Sequence, residues 1–307
     1  MIRHALLRLL TAVPTLLVLV TLTFFLMRLA PGGPFDRERS LPPEIEAALA
    51  AEYHLDEPLP QQYLRYLGGL VRGDLGPSFQ YEGFRVSELI AKGLPVSLAL
   101  GALAMALALC IGVAMGIIAA LRHRHFSDYG LMSAALLGVS IPSYVVAPIL
   151  VLVFAVTLRW LPAGGWVPGR FSDLVLPVVA LALPQISAIA RLMRGALLEV
   201  LQQPYLRTAR AKGLSPAIVI LRHALKPALL PLVSYLGPAT AGILTGSVVV
   251  EQVFDLPGIG RYFVQGALNR DYTLVLGVVA VYGTLIVLFN FVVDLAYGLL
   301  DPRIRTP

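Results

Sequence analysis

The residues that do covalent, metal or phosphate chemistry are few in this sequence, and their spacing excludes most catalysis. A phosphate loop needs glycine-lysine followed by serine or threonine, so that the ammonium meets the phosphates and the hydroxyl meets magnesium. The three lysines, Lys92, Lys212 and Lys226, follow Ala91, Ala211 and Leu225, so no such loop can be written. Any energy from ATP must therefore come from another polypeptide. The five histidines, His4, His54, His123, His125 and His223, include no His-Glu-x-x-His zinc pair. His123 and His125 flank Arg124 and read as solvated loop residues. There is no Gly-x-Ser-x-Gly nucleophile elbow. The single cysteine, Cys110, permits no intramolecular disulfide and reads as a small buried hydrophobe. No catalytic residue and no metal site are expected.

Two carboxylates fall in or beside apolar runs. Glu251 closes one, and Asp294 lies inside another, one turn after Asn290. Carboxylates in lipid default to function, but a proton relay needs several partners. Asp294 is read as structural, bonding polar groups on a neighbouring helix or lying near the cytoplasmic end. The remaining informative stretch is Tyr205-Leu206-Arg207-Thr208-Ala209-Arg210-Ala211-Lys212-Gly213-Leu214-Ser215-Pro216. Its chemistry is contact chemistry, with fixed cations, small residues and a glycine between two proline-led segments.

Apolar runs must position these groups. The chain has 307 residues, 57% of them hydrophobic and 14% charged. A soluble domain carries about 25% charge, so the class is an integral membrane protein. A crossing needs about 20 residues. Six runs qualify: Leu9–Leu29, Pro95–Leu121, Tyr129–Leu158, Leu174–Met193, Ala228–Val250 and Tyr272–Leu300. They are apolar on all sides, which excludes alternating barrel strands. Leu9–Leu29 is too long for a signal peptide and reads as a retained span. Pro14, Pro142, Pro148, Pro177 and Pro184 predict kinks. Gly112–Gly116 and Gly242–Gly246 have GxxxG spacing, which suits a subunit interface, an intrasubunit interface or chance in a glycine-rich chain.

Residues 31–93 differ in composition, with ten acids against six bases. Pro42–Tyr53 and Pro58–Val71 read as short helices with proline in the first turn. Arg85–Lys92 places Val86, Leu89 and Ile90 on one face, the pattern of a helix lying at the membrane surface. Thirteen bases fall on the side that holds both termini, against four in the two short loops opposite. The positive-inside rule then makes both termini cytoplasmic and residues 31–93 extracytoplasmic. The domains expected are 1–30, the N-terminus and first span; 31–93, the external segment; and 94–307, a five-span core containing a cytoplasmic loop at 194–227. The +6 net charge follows from topology, and no nucleic-acid partner is implied.

Within that loop Pro204 opens one helix and Gly213 suits the left-handed position that ends it. Ser215 caps a second, with Pro216 in its first turn and Ile218, Leu221 and Leu225 on one stripe. Plain topology, binding of anionic lipid and docking into a cytoplasmic partner are the three readings. Docking is preferred, because Ala209 and Ala211 let another protein approach closely and topology alone needs no glycine hinge.

The stretch resembles the EAA loop of ABC-importer permeases. Thr208-Ala209-Arg210-Ala211-Lys212-Gly213 followed by Leu230-Pro231 lacks the acid of the general pattern and is similar to the peptide branch of that family. Met27-Arg28-Leu29-Ala30-Pro31-Gly32, Gly73-Asp74-Leu75-Gly76-Pro77-Ser78, Asp255-Leu256-Pro257-Gly258-Ile259-Gly260 and Asp301-Pro302-Arg303-Ile304-Arg305 agree across nearly the whole chain, nearest the oligopeptide members.

The resemblance implies the type I ABC-importer permease fold, an all-α membrane protein with six transmembrane helices in the bacterial plasma membrane. It implies a homologous second permease, two ATPase subunits that bind ATP and magnesium, and an extracytoplasmic peptide-binding protein. Tyr205, Arg207, Thr208, Ala209, Arg210, Ala211, Lys212 and Gly213 would couple to the ATPases. Asp255, Leu256, Pro257 and Gly258 would contact the binding protein or form the outer gate. The competing readings are a self-sufficient secondary transporter or channel, and the same family carrying dipeptide, nickel chelate or glutathione.

Overall fold

The computed structural model describes residues 2–29, 44, 51 and 53–300. The predicted helix at Pro42–Tyr53 falls almost wholly outside these, as do the motif residues Ala30–Gly32 and Asp301–Arg305. All regular elements among the described residues are helical. They are α1 (Ile2–Leu29), α2 (Leu59–Val71), α3 (Val86–Leu121), α4 (Phe126–Ser140), α5 (Ser143–Leu150), α6 (Ser172–Leu201), α7 (Pro204–Ala211), α8 (Pro216–Ile218), α9 (Leu225–Ala228), α10 (Leu230–Val253), α11 (Ile259–Leu268) and α12 (Tyr272–Leu300). Two π-helical segments extend them, Val151–Thr157 after α5 and Val219–Ala224 between α8 and α9.

Five helices among the described residues are long and apolar enough to cross a membrane, and the pair at Phe126–Ser140 and Ser143–Thr157 makes six if taken as one span. That pair is the expected third run, but it bends by 101°. The cause is local. Ile141 precedes Pro142 and is extended at φ −103, ψ 117. The proline ring excludes the helical region for the residue before it, so α4 ends there and α5 starts in a new direction. The other four prolines named above sit inside helices.

The chain divides into two compact units, one of Met1–Leu9, Ser97–Leu256 and Ile286–Pro307, the other of Leu10–Val96 and Pro257–Leu285. In the first, α6 is the internal span: 67% of its most apolar window is buried, against 33% for α10. Glycines let its neighbours approach. A Cβ on Gly116 would stand 2.7 Å from the Ala190 carbonyl oxygen and 2.7 Å from Met193 Cβ. One on Gly112 would stand 2.8 Å from Ile189, and one on Gly242 2.9 Å from Gln185. Both GxxxG pairs therefore close intrasubunit contacts on the same helix. Gly138 of α4 does the same against Ser187 and Leu183. Cys110 is exposed on α3 rather than buried. An all-apolar helix gives no compositional clue to which face turns inward.

In the second unit the expected surface helix at Arg85–Lys92 is instead the first turns of α3. Val86, Leu89 and Ile90 are buried against Ile259, Leu274 and Val278. Protein contacts from α11 and α12, not lipid headgroups, cover that apolar face. The second anchor of this unit is Asp271, fully buried ahead of α12. Its Oδ1 accepts from the Leu274 backbone N–H at 3.0 Å, an N-cap bond, and from Thr273 Oγ1 at 3.0 Å. Its Oδ2 accepts from Ser78 Oγ and from the Gln80 N–H at 3.0 Å. One carboxylate thus caps α12 and holds the loop that follows Gly73–Pro77.

Candidate functional site

The hairpin after α6 is built from a buried face and an exposed face. On α7, Leu206 and Ala209 point inward and pack with Met193, Leu197, Val219, Ala224 and Ala228. Tyr205, Arg207, Thr208, Arg210, Ala211 and Lys212 are exposed. So Ala209 is small because of its own core, whereas Ala211 faces outward. Among the described residues, no acid forms an ion pair with Arg207, Arg210 or Lys212.

Gly213 ends α7 as its residue type predicts. It sits at φ +77, and its N–H donates to the Arg210 carbonyl at 2.9 Å, while Leu214 N–H donates to Ala209 at 3.4 Å. This is a Schellman arrangement, and the left-handed dihedral is what calls for glycine. A Cβ there would meet no atom within 4 Å, so backbone strain rather than crowding opposes substitution. Ser215 takes the predicted N-cap position at ψ 147, but its side chain makes no capping bond. Pro216, with no N–H, leaves one fewer unpaired donor in this first turn.

The second helix corrects the predicted stripe. Ile218 and Leu221 are exposed, at 44% and 68%, and the buried positions are Val219, Ala224 and Ala228. The π segment Val219–Ala224 widens one turn, so inward positions fall five apart and then four apart. A pattern read at 3.6 residues per turn therefore mixes faces: Leu225 packs against the core, while Ile218 and Leu221 do not. The consequence is an outer surface that is apolar as well as basic, with Leu214, Ile218 and Leu221 beside Arg222.

The base of this hairpin is clamped by residues not singled out from the sequence. Asp128 of α4 is 1% exposed. Its Oδ1 accepts from Arg194 Nε at 2.6 Å, and its Oδ2 from Arg194 Nη2 at 2.7 Å and from the Arg124 backbone N–H at 3.1 Å. His123 Nδ1 lies 3.3 Å from the same Oδ2, so it is a member of this cluster rather than a purely solvated residue. A bidentate pair to a buried carboxylate is strongly directional. The signal in the sequence was Asp128 as the one acid among the bases of loop 122–128. No cluster of three or more metal-ligating side chains occurs among the described residues.

The four residues expected at the outer gate are not equivalent. Asp255 is exposed and holds a positive φ of 52. Leu256 is fully buried, its N–H donating to the Glu251 carbonyl at 2.9 Å. Gly258 is buried at the start of α11, where a Cβ on Gly93 would stand 3.0 Å from it. Pro257 is half-buried between them in the chain. Outside the spans, Asp74 Oδ1 accepts from Arg85 Nη2 at 2.6 Å and from the Gly76 N–H at 2.9 Å. Those bonds hold the Asp74 carboxyl below the usual carboxylate range. In α12, Asn290 occupies the space a side chain at Gly237 would need, and Asp294 is half-buried.

Comparison with known proteins bears on the whole chain. Residues 112–306 match the family described as binding-protein-dependent transport system inner membrane component, and residues 1–101 match the N-terminal model for the membrane component of such systems. The chain is 55% identical to the oligopeptide transport system permease protein OppB of Haemophilus influenzae, covering 97% of each chain. It is 54% identical to OppB of Salmonella typhimurium, covering 99% of this chain and all of that protein. It is 45% identical to the dipeptide transport system permease protein DppB of Bacillus subtilis, covering 99% and 98%. The MetNI methionine ABC transporter in an inward-facing conformation superposes with a TM-score of 0.58 at 18% identity, covering 70% of this chain and 97% of that one. The fold is thus that of ABC-importer permeases. A chain matched by these models along nearly its whole length belongs to the family of binding-protein-dependent transport system inner membrane components.

Proposed function

We infer that this chain is the membrane-spanning permease subunit of an ATP-driven importer that carries peptides, oligopeptides foremost, into the cytoplasm across a bacterial plasma membrane. The observation that carries the reading is the hairpin from Pro204 to Ala228, whose basic and apolar outer surface is seated on the most buried span. The chain has no phosphate loop, so ATP and magnesium belong to two partner ATPases. A homologous second permease and an extracytoplasmic peptide-binding protein complete the assembly. The cargo class rests on the relatives named above.

The proposed mechanism follows from how the hairpin is held. Closure of the ATPases on ATP displaces α7. Leu206 and Ala209 pass that displacement to Met193 and Leu197 of α6, because packed side chains transmit strain. The Asp128–Arg194 pair carries it on to α4. The helices that touch α6 through glycines then shift against it, the pathway opens outward, peptide enters, and hydrolysis resets the state. Arg207, Arg210 and Lys212 make the charge-assisted contacts with the ATPase, and Gly213 sets the angle between the hairpin helices. Asp255 is the outward-pointing member of the outer-gate group.

The test is ATP-driven peptide uptake by the complex in proteoliposomes. Gly213→Pro and Ala209→Trp are expected to abolish uptake while the chain still inserts into membrane. Wild-type uptake by both variants would sink the coupling role, and flux through this chain alone would replace the importer with a self-sufficient transporter.

A further inference from the structure

The second unit contains a cavity of about 580 Å³, walled by Arg28, Tyr53, Tyr66, Gly68, Arg72 and Phe79 among others. That volume lies within the range of small-molecule sites, roughly 300–1,000 Å³. Among the described residues its cations outnumber its carboxylates. Arg65 is paired with Glu57, and Asp74 with Arg85 at 2.6 Å. No described carboxylate lies within ion-pair distance of Arg28 or Arg72.

Arg28 is also held unusually firmly. Its Nη1 donates to Gln62 Oε1. Gln62 is 8% exposed, and its Nε2 donates to the Leu55 carbonyl at 3.0 Å and the Glu57 carbonyl at 2.7 Å, which fixes the amide with its oxygen toward Arg28. The guanidinium carbon lies 4.9 Å from the Phe24 ring centroid and 5.0 Å from that of Tyr272. Its buried Nε has no hydrogen-bond acceptor. Tyr66, on the same wall, has its hydroxyl pushed up to about 12 by burial, so it stays a neutral donor. A planar cation fixed by an amide and two rings, with no carboxylate partner among the described residues, is preorganised for an anion.

We propose that this cavity binds the terminal carboxylate of a short peptide, with Arg28 as the anchor and Arg72 as a second cation. The assignment rests on the peptide reading above. With rings against the guanidinium, a ligand approaches in its plane, where a carboxylate accepts two parallel bonds. Tyr53, Tyr66 and Phe79 give side chains an apolar wall. A Cβ at Gly68 would meet nothing within 4 Å, so the backbone there is open to a peptide main chain.

The experiment measures equilibrium binding of radiolabelled tri-alanine and of its C-terminal amide to the assembled permease complex in nanodiscs, with uptake into proteoliposomes alongside. Wild type is expected to favour the free acid. Arg28→Gln is expected to weaken tri-alanine binding at least about tenfold, the worth of a hydrogen bond to a charged group, with under about a twofold change for the amide. Arg28→Lys should recover only part of the loss, because an ammonium lacks the fork. Arg72 is exposed, so Arg72→Gln leaves folding intact and should give about a threefold loss, again for the acid only. Equal losses for both ligands, or none, would overturn the site while leaving the peptide reading standing. Competition by inorganic phosphate or phosphatidylglycerol vesicles as strong as that by tri-alanine would overturn it too. If the wild-type complex neither binds nor imports either ligand, the peptide reading fails and the site falls with it.

Discussion

The hairpin and the assembly around Asp271 spend their polar groups in opposite ways. In the hairpin the inward positions are apolar, Leu206, Ala209, Val219 and Ala224 among them, and the cations stand outside. Around Asp271 every acceptor is used internally, by Ser78, Gln80, Thr273 and Leu274. A buried carboxylate must be satisfied where it stands, so Asp271 fixes a shape. Exposed cations with no described partner cost nothing in water and remain available to a second protein. Both regions adjoin segments that carry the family resemblance. Resemblance alone therefore does not separate an exposed basic surface from a buried scaffold; burial does.

Variants can break or sharpen that contrast. The largest expected loss of stability comes from Arg194→Met, which leaves the buried Asp128 without its guanidinium partner and should cost about 3 kcal/mol, read as a lower unfolding midpoint in detergent. Asp271→Ala removes a cap and a loop tie and should cost about 2 kcal/mol, with faster proteolysis near residues 73–80. Gly213→Val forces a β-branched residue to φ +77 and should cost about 1–2 kcal/mol, with ATP hydrolysis uncoupled from uptake. Reversing Arg207, Arg210 and Lys212 to Glu should move stability by less than about 0.5 kcal/mol yet abolish ATPase co-purification. A triple variant that keeps its ATPases would erase the contrast. The smallest effect belongs to Asp74. Its folded pKa is depressed by Arg85 and the Gly76 N–H, so its contribution is present above the ordinary carboxylate pKa of about 4 and lost as pH falls through the lowered value. Being nearly half exposed, it should shift an acid-unfolding midpoint only slightly.

Much of the fold was legible because long apolar runs and glycine positions are local facts. The run Tyr272–Leu300 became α12 residue for residue, and Gly213 ended α7 where its residue type required. The stripe Ile218, Leu221 and Leu225 splits, with Leu225 packed on the core and the other two exposed, because a π turn changes the period and no residue in Val219–Ala224 announces one. The surface helix at Arg85–Lys92 was misread because amphipathicity names an apolar face without naming what covers it. Asp128 and Asp271 escaped notice because their partners lie 66 and 193 positions away.

The amino-acid sequence by itself determined the class, the spans, the absence of a phosphate loop and the place of the hairpin, since hydropathy and backbone preference act within a few residues. Only the tertiary structure decided which face of each helix turns inward, that both GxxxG pairs close on α6, and that Arg28 stands at a cavity wall with no carboxylate partner among the described residues. Those outcomes depend on which distant segments meet, and contact between distant segments is a property of packing that no local pattern carries.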